Sequence, residues 1–253
     1  MTRLFEGEVV VITGGSSGIG RATALAFARE GARVSVASRR ADESEETVRL
    51  VKAEGGEAIF VKTDVTRAKE VEALIVRTVD RFGGLNYAFN NAGIEGDAFV
   101  PVEEYSEATW DQVIDINLKG VFLSMKYELP HIAAVKGAIV NMASISGLAG
   151  TRLGGAYAAS KHGVVGLTKA AALENAERGV RINAVAPAVI RTPMADRAFF
   201  HDPKITAAVT GRHPMGRVGL PEEVASAVVW LCSKSASFTT GHTLPVDGGY
   251  LIP

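Results

Sequence analysis

Short apolar runs rich in β-branched residues alternate with longer helical segments along the whole chain of 253 residues. Each such run predicts a strand, and a strand–helix–strand repeat predicts parallel strands joined by right-handed helical crossovers. Several runs are apolar at every position, as expected when helices cover both faces of a sheet. The pattern therefore predicts an α/β fold with a doubly wound, mostly parallel, seven-stranded sheet and helices on both faces.

These runs also place the elements along the chain. Strands are predicted at 8–13, 33–38, 58–63, 85–90, 137–143, 181–186 and 242–246. Helices are predicted near 18–30, 42–54, 67–82, 107–133, 155–178 and 221–234. Because no linker or low-complexity segment interrupts this order, a single domain over 1–253 is expected. The stretch 191–218 lacks clear periodicity and is predicted to be a long loop that acts as a substrate lid.

Charge and composition argue against several classes of partner. The formal net charge is −1, which offers no electrostatic attraction to nucleic acid or to an anionic membrane. No signal-like leader and no uncharged apolar run of about 18 residues occurs, so a soluble cytoplasmic protein is expected. The five histidines lack metal-ligand spacing, and the single cysteine, Cys232, lies in an apolar run, so neither a metal site nor a disulfide is predicted.

A glycine-rich turn, TGGSSGIG, follows the first predicted strand and opens the first predicted helix. Gly14, Gly18 and Gly20 would let the backbone turn tightly and approach a pyrophosphate, which the free N–H groups of the helix N-terminus would bind. In a parallel sheet the carboxyl ends of all strands share one edge, where ligands bind. The turn therefore predicts a dinucleotide site at this edge.

The same letters also fit G-x-S-x-G, the nucleophile turn of serine hydrolases, with Ser16 as the nucleophile. A hydrolase is thus an alternative from a different class. It is disfavoured because its oxyanion site requires strands before the turn, and only thirteen residues precede this one.

The residues after the second predicted strand bear on coenzyme preference. An acid there would bind the ribose 2′-hydroxyl of NAD, whereas an arginine suits the 2′-phosphate of NADP. The chain has Ser38 at the acid position, followed by Arg39 and Arg40. NADP is therefore favoured with NAD possible, although both arginines fit equally well as solvated residues at a helix start.

Other strand ends carry polar or turn-forming residues to the same edge. Asp64 follows the third strand and fits either a contact with the adenine amino group or, preferably, a helix cap. The later strands end in NNAG at 90–93, in Ser144 and in the segment from Pro187 to Thr192. Downstream, YAASK places Tyr157 and Lys161 four residues apart, on one face of a helix.

Together, TGGSSGIG, Asp64, NNAG, Asn117 in DINLKG, Ser144 and Tyr157-x-x-x-Lys161 resemble the short-chain dehydrogenase/reductase family over essentially the whole chain. The resemblance implies a Rossmann-type fold and a nucleotide-binding, NAD(P)-dependent oxidoreductase acting on CH–OH and C=O groups. It also implies a homotetramer. The family usually has glycine where this chain has Ala188.

The resemblance also implies roles for individual residues. Tyr157 is the general acid or base, Ser144 hydrogen-bonds the substrate oxygen, Lys161 binds the nicotinamide ribose, and Asn117 positions a water that connects Lys161 to solvent. The implied cofactor-binding residues are Gly14, Ser16, Ser17, Gly18, Ile19, Gly20, Ser38, Arg39, Asp64, Val65, Asn91, Ala92, Gly93, Tyr157, Lys161, Pro187, Ile190 and Thr192.

The Tyr157–Lys161 pair also has a physical rationale. A free tyrosine has a pKa of about 10, and a cation about 4 Å away at an effective dielectric of about 20 contributes about 4 kcal/mol. Lys161 is therefore expected to lower the Tyr157 pKa towards neutrality, where general acid–base catalysis is most efficient.

The substrate pocket is predicted to involve 94–105, 145–155 and 191–218. Met194, Phe199, Phe200 and Met215 predict an apolar lid, and Arg152 and His201 are candidates for reading a polar substituent. The expected substrate is a small or medium alcohol or ketone. The alternatives are a 3-oxoacyl-thioester (acyl-carrier-protein) reductase, with Lys136 and Arg178 as carrier contacts, and a non-enzymatic NADP-sensing module.

Overall fold

The computed structural model describes residues 3–150 and 154–252 of the chain. Within these residues, seven strands form one sheet of order β3-β2-β1-β4-β5-β6-β7, and every pair is parallel. The strands are β1 Val9–Thr13, β2 Arg33–Ser38, β3 Glu57–Lys62, β4 Tyr87–Asn90, β5 Ala138–Met142, β6 Arg181–Pro187 and β7 Thr243–Val246. The predicted fold class is confirmed.

Helices cover both faces of this sheet. They are α1 Gly18–Arg29, α2 Ala41–Ala53, α3 Ala68–Phe82, α4 Glu107–Ile114, α5 Gly120–Ala134, α6 Gly155–Asn175, α7 Pro193–Phe199, α8 Pro203–Gly211 and α9 Pro221–Cys232. Short 3₁₀ turns occupy Val102–Glu104, Ile145–Gly147 and Lys234–Ala236. None of the helices in the described part of the chain is long and apolar enough to cross a membrane.

The alternation of side chains along β1 explains why both faces are covered. Successive strand residues point to opposite faces, yet all five residues of β1 are buried. Val10 and Ile12 pack in the core that contains Phe27 of α1, whereas Val9 and Val11 belong to the opposite core. A strand buried on both sides has no polar face, which is why its sequence reads as a continuous apolar run.

The strand order reverses between β1 and β4, because β2 and β3 lie on one side of β1 and the later strands lie on the other. The crossovers on the two sides therefore diverge and open a crevice at the carboxyl ends of β1 and β4. The glycine turn after β1 and the NNAG segment after β4 meet at this crevice.

Two predicted elements are wrong in detail. The single helix expected over 107–133 is interrupted by a π-helical turn at Asp115–Lys119, which contains the buried Asn117. The loop expected over 191–218 contains α7 and α8. Both begin with a capping side chain followed by proline, namely Thr192–Pro193 and Asp202–Pro203, and this signal alone would have identified them.

A buried polar cluster lies between the sheet and the helices α5 and α6. The side-chain amide of Asn90 donates to Glu128 Oε2 at 3.1 Å and to Asn141 Oδ1 at 3.0 Å. Asn141 in turn donates to Thr168 Oγ1 at 3.0 Å. Glu128 is fully buried, and burial raises its pKa to about 8, so this carboxyl is held in its neutral form.

Glu128→Gln is expected to stabilise the protein at neutral and alkaline pH. The ordinary pKa of this carboxyl is 4.5 and its folded-state pKa is about 8, so the folded state retains a proton that the unfolded state releases. Stability therefore falls as pH rises from 4.5 to 8 in the native protein. A glutamine removes this loss, and the expected gain at pH 7 is up to about 3 kcal/mol.

Urea unfolding at pH 5 and pH 8 measures this effect. The gain should be small at the lower pH and large at the higher one. Glu72→Gln makes the same chemical change at an exposed position of α3 and should give no such difference. Equal destabilisation by Glu128→Gln at both pH values would contradict the neutral-carboxyl interpretation.

Candidate active site

The glycine turn after β1 is packed too tightly for side chains at its key positions. Gly14 has a φ of 65°, in the left-handed region that favours glycine. A Cβ at Gly20 would overlap the carbonyl oxygen of Gly14 and lie 2.7 Å from Asn91 Nδ2. The turn therefore brings bare backbone N–H groups to the N-terminus of α1, as an anion site requires.

Asn91 supports this turn from the neighbouring strand. Its side-chain amide donates to the carbonyl oxygens of Thr13 and Gly14, both at 3.1 Å, and its backbone N–H donates to Thr13 Oγ1 at 3.0 Å. Asn91 is one of the cofactor-binding residues implied by the resemblance. In the structure its side chain fixes the shape of the turn.

A groove runs from the glycine turn across the ends of β2 and β3. Its lining includes eight of the predicted cofactor-binding residues, Gly14, Ser16, Ser38, Arg39, Asp64, Val65, Ala92 and Gly93. The groove is also lined by Arg40, named above beside Arg39, by Ile94 of the predicted pocket segment, and by three residues that the sequence did not single out, Ala37, Thr63 and Ile116. The Thr192 side chain lies against the glycine turn at Gly18, since a Cβ added to Gly18 would be 3.1 Å from it.

The two arginines after β2 have different surroundings. Arg40 donates through Nη2 to Ser16 Oγ at 2.7 Å and to Ser17 Oγ at 2.8 Å, so its guanidinium lies against the glycine turn. Arg39 is exposed at the groove, and its charge acts on the Asp64 carboxylate. Both cations are therefore available at the end of the groove where an adenosine 2′-phosphate would lie.

The contact with Arg40 also bears on the hydrolase alternative. Ser16 is only 1% exposed, and its hydroxyl accepts from a guanidinium. A guanidinium stays protonated in proteins and does not remove a proton from a serine. Ser16 is thus placed for binding an anion and lacks the general base of a nucleophilic serine.

The capping interpretation of Asp64 is wrong, because α3 has Arg67 at its N-cap and no side-chain capping hydrogen bond, and Asp64 instead closes the turn before this helix. Its Oδ1 accepts from the Thr66 backbone N–H at 3.0 Å and from the Thr66 hydroxyl at 2.8 Å. The carboxylate also lines the groove, so the adenine contact stays a prediction.

Ser144, Tyr157 and Lys161 come together beside the inner end of the groove. Ser144 follows β5, its backbone is extended, and its hydroxyl hydrogen-bonds the Tyr157 phenol. Tyr157 and Lys161 share one face of α6, with Lys161 Nζ 5.5 Å from the centroid of the Tyr157 ring. Lys161 is 3% exposed and donates to the Met142 carbonyl oxygen at 2.8 Å. A hydroxyl, a phenol and an ammonium group thus face one place.

The expected lowering of the Tyr157 pKa is wrong for this structure. Burial raises the pKa of Tyr157, the hydrogen bond from Ser144 lowers it in part, and the negative charge of Glu95 raises it again. Burial also lowers the pKa of Lys161 to about 8. The sequence shows only the charge of Lys161. In the fold, that ammonium is directed at the Met142 carbonyl oxygen, and desolvation of the phenol has the larger effect on the Tyr157 pKa.

Asn117 lies in the π-helical turn and clamps the segment after NNAG. Its Oδ1 accepts from Ile94 N–H and its Nδ2 donates to Ile94 O, both at 2.9 Å, while Nδ2 also approaches Ser160 Oγ at 3.2 Å. The Ile94 backbone is therefore held by a two-point contact. π-Helical turns are frequent at functional sites, because the extra residue reorients nearby side chains. The predicted water-positioning role of Asn117 stays a prediction.

A short parallel bridge joins the two ends of the segment 191–218 to each other. Ile190 pairs with Gly219, and backbone hydrogen bonds of 2.9 Å and 3.0 Å tie Arg191 to Gly219 and Gly219 to Val189. Pro187, at the end of β6, pairs with Val246 of β7. Ala188 donates its N–H to Val246 O, and its φ lies outside the left-handed region, so a methyl group in place of glycine causes no backbone strain here.

The predicted lid side chains are only partly gathered at the site. Phe199 is buried and meets Phe99 edge-on at 6.3 Å between ring centroids, whereas Phe200 lies under Arg191 at 4.3 Å. Met215, predicted as part of the apolar lid, is 67% exposed. His201 is also exposed, and its predicted reading of a polar substituent stays a prediction. Arg152 lies outside the described residues.

Two candidates for carrier docking lie on the wrong side of the sheet. Lys136 precedes β5 and Arg178 precedes β6, which places both at the amino-terminal edge, opposite the strand ends that carry Ser144 and Pro187. Arg178 is also bound to Asn175 Oδ1 at 2.6 Å. This placement does not support a carrier-protein contact that delivers a substrate to Tyr157.

The groove fits a nicotinamide dinucleotide. Gly14 and Gly20 leave room for backbone to approach a pyrophosphate, and Arg39 and Arg40 supply cations at the adenosine end. At the other end, Gly93 packs closely, because a Cβ there would lie 3.2 Å from Asn117 Oδ1 and 3.7 Å from Lys161 Nζ. Binding of the nicotinamide ribose hydroxyls by Lys161 stays a prediction.

Comparisons with known proteins agree over nearly the full chain. A family model described as enoyl-(acyl carrier protein) reductase matches residues 14–251. The chain is 46% identical over 251 residues to cyclohexanol dehydrogenase of Acinetobacter sp., covering 99% of this chain and 97% of the relative. It is 44% identical over 247 residues to 2,5-dichloro-2,5-cyclohexadiene-1,4-diol dehydrogenase of Sphingobium indicum, covering 97% of each. The crystal structure of levodione reductase superposes with a TM-score of 0.92 at 39% identity, covering 97% of this chain and 98% of the other.

Proposed function

The chain belongs to the short-chain dehydrogenase/reductase family and is an oxidoreductase acting on CH–OH or C=O groups, and from this premise we propose that it interconverts small cyclic secondary alcohols and ketones with NADP(H). The observation that carries the proposal is the convergence of Ser144, Tyr157 and Lys161 beside a groove that fits a dinucleotide. The cyclic substrate class is supported by similarity to three dehydrogenases whose names specify six-membered rings that carry hydroxyl groups.

The roles of the three side chains follow from their chemistry. In carbonyl reduction, the Tyr157 phenol donates its proton to the substrate oxygen, and the Ser144 hydroxyl donates a hydrogen bond to that oxygen. Lys161 binds the ribose hydroxyls and orients the nicotinamide ring. The coenzyme, when bound, supplies the hydride in reduction and accepts it in oxidation.

The raised pKa of Tyr157 sets the expected direction at neutral pH. A phenol with a pKa above its ordinary value of 10 is protonated at pH 7 and is ready to act as an acid. Reduction therefore needs no prior ionisation. Oxidation needs the phenolate as a base, so its rate is expected to rise towards alkaline pH.

A substrate panel tests this proposal. The unmodified protein should reduce cyclohexanone with NADPH and oxidise cyclohexanol with NADP⁺, followed by nicotinamide absorbance. An acetoacetyl thioester and a linear ketone serve as comparison substrates and should react more slowly. The proposal fails if NADPH binds but no secondary alcohol or ketone changes the absorbance.

We also propose that the segment 191–218 acts as the lid of a single domain, and that the protein works as a cytoplasmic homotetramer. The lid is supported by the Ile190–Gly219 bridge, which fixes both ends of the segment. The assembly is implied by the family and is supported by large apolar side chains left exposed on α4, α5 and α6, namely Trp110, Phe122 and Leu173.

A further inference from the structure

The glutamate that follows the NNAG segment is fixed beside the chemical end of the groove. Gly93 lies next to Lys161, since a Cβ there would be 3.7 Å from Nζ. Ile94 is clamped through both its N–H and its C=O by Asn117. Because two residues span at most about 7 Å, Glu95 leaves this clamp close to the reacting groups. Its backbone is therefore anchored by the same residues that shape the site.

The carboxylate of Glu95 is only partly engaged. Its Oε1 lies 3.4 Å from Arg197 Nη2 on α7, a long separation for a charge-assisted hydrogen bond. The Arg197 side chain is 64% exposed and that of Glu95 is 29% exposed, so the pair adds little stability. Among the described residues, Oε2 makes no hydrogen bond. One carboxylate oxygen is thus free to accept a hydrogen bond from a ligand.

The charge of this carboxylate reaches the catalytic phenol. Burial and the hydrogen bond from Ser144 have the largest effects on the Tyr157 pKa. The negative charge of Glu95 has the next largest effect, and it raises that pKa. Glu95 is thus near enough to Tyr157 to interact electrostatically, and the Gly93–Ile94 backbone places it at the same end of the groove. The neighbouring contact between this segment and α7 is apolar, formed by Phe99 and Phe199. The Glu95 carboxylate, which contacts Arg197 two residues before Phe199, adds a hydrogen-bond acceptor beside this apolar contact.

We propose that Glu95 is a specificity-determining residue that accepts a hydrogen bond from a second hydroxyl group of the substrate, so that the site prefers diols to mono-alcohols. This inference rests on the proposed function, because it concerns a substrate held with its reacting oxygen at Tyr157. An ionised carboxylate only accepts hydrogen bonds. It therefore favours a hydroxyl donor, gains nothing from a second carbonyl, and repels a substrate carboxylate.

The experiment compares 1,4-cyclohexanediol with cyclohexanol for the unmodified protein and for Glu95→Ala. A hydrogen bond to a charged acceptor corresponds to about ten- to a hundredfold in binding. The kcat/KM for the diol should fall by this factor, mainly through KM, because the second hydroxyl does not react. The kcat/KM for cyclohexanol should not fall, because the loss of the Glu95 charge eases ionisation of the phenol for both alcohols alike. Glu72→Ala makes the same chemical change at an exposed position of α3 and should leave both values unchanged.

Glu95→Gln supplies a second, independent readout. It keeps the shape of the side chain and removes the charge that raises the Tyr157 pKa. The pH profile of cyclohexanol oxidation should therefore shift towards lower pH, because the phenol ionises more easily. A contact between Glu95 and Arg197 that only braces the lid would not move this profile in that direction.

The role of Glu95 and the proposed function are contradicted by different results. Equal losses for diol and cyclohexanol in Glu95→Ala, or an unshifted pH profile in Glu95→Gln, overturn the role of Glu95 and leave the reductase assignment intact. If the unmodified protein oxidises both alcohols without preferring the diol, the role of Glu95 is likewise overturned and the reductase assignment is left intact. Failure of the unmodified protein on every alcohol overturns the proposed function, and the inference with it.

Discussion

Tyr157→Phe is expected to lower kcat for cyclohexanone reduction by about 10²–10⁴-fold, the usual contribution of general acid–base catalysis. This loss corresponds to about 3–5 kcal/mol of transition-state stabilisation. The substitution removes only the phenolic oxygen, so the ring keeps its position on α6, 5.5 Å from Lys161 Nζ. The transferable proton is lost while the packing is retained.

Coenzyme binding should survive this change. The pyrophosphate is held by backbone groups of the glycine turn, and Tyr157 takes no part in shaping that turn. Fluorescence titration with NADPH gives the dissociation constant, and stopped-flow absorbance gives the rate of the chemical step. Tyr127→Phe, a matched change at a half-buried position of α5, should leave both values unchanged. Near-normal turnover in Tyr157→Phe would mean that the tyrosine is structural.

Ser38→Asp combined with Arg39→Leu is expected to reverse the coenzyme preference from NADP(H) to NAD(H). Arg39 is exposed at the groove, where it can bind a 2′-phosphate, and each charge-assisted contact contributes roughly 1.5–3 kcal/mol. That is about ten- to a hundredfold in affinity. The new carboxylate would instead accept from the ribose 2′-hydroxyl of NAD. The lost contact with NADP(H) and the gained contact with NAD(H) together change the ratio of kcat/KM for NADPH to kcat/KM for NADH by about 10²–10⁴-fold.

The structure indicates that the fold tolerates this double change. The Ser38 hydroxyl accepts from the Arg40 N–H at 3.0 Å and lies 2.8 Å from the Ser44 hydroxyl. An aspartate at position 38 retains an acceptor for the Arg40 N–H, and the Ser44 hydroxyl keeps its own hydrogen bond to the Arg40 carbonyl oxygen at 2.6 Å. Arg40 is left in place, because its bonds to Ser16 and Ser17 hold the glycine turn.

The coenzyme preference is measured as kcat/KM for NADPH and for NADH with the same ketone. Arg39→Leu alone serves as the control and should weaken NADPH use without improving NADH use. An unmodified enzyme that favours NADH would show that Arg39 is only a solvated surface residue. The assignment as an oxidoreductase would be unaffected by that result.

Local signals predicted most of the fold. Continuous apolar runs identified the buried strands, because a strand covered on both faces has no solvent side to mark with polar residues. The order of strands and helices then restricted the topology to a doubly wound parallel sheet. The helices α7 and α8 were missed because the segment 191–218 has little periodicity. Thr192–Pro193 and Asp202–Pro203 are nevertheless local start signals for these helices.

The π-helical turn at Asp115–Lys119 was missed for a different reason. Its one-residue insertion leaves the helical pattern of 107–133 readable, and the turn forms around a contact with Ile94, 23 residues earlier in the chain. Such a contact has no local sequence signature.

The sequence by itself determined the sheet, the glycine turn and the candidate set of Ser144, Tyr157 and Lys161, because these depend on residue type and on spacing within one element or at its end. Only the tertiary structure decided which arginine contacts the turn, that Glu95 borders the site, that Glu128 is a neutral buried acid, and that the Tyr157 pKa is raised. Those properties depend on distances between residues far apart in the chain and on how much water burial removes, and neither quantity is contained in local spacing.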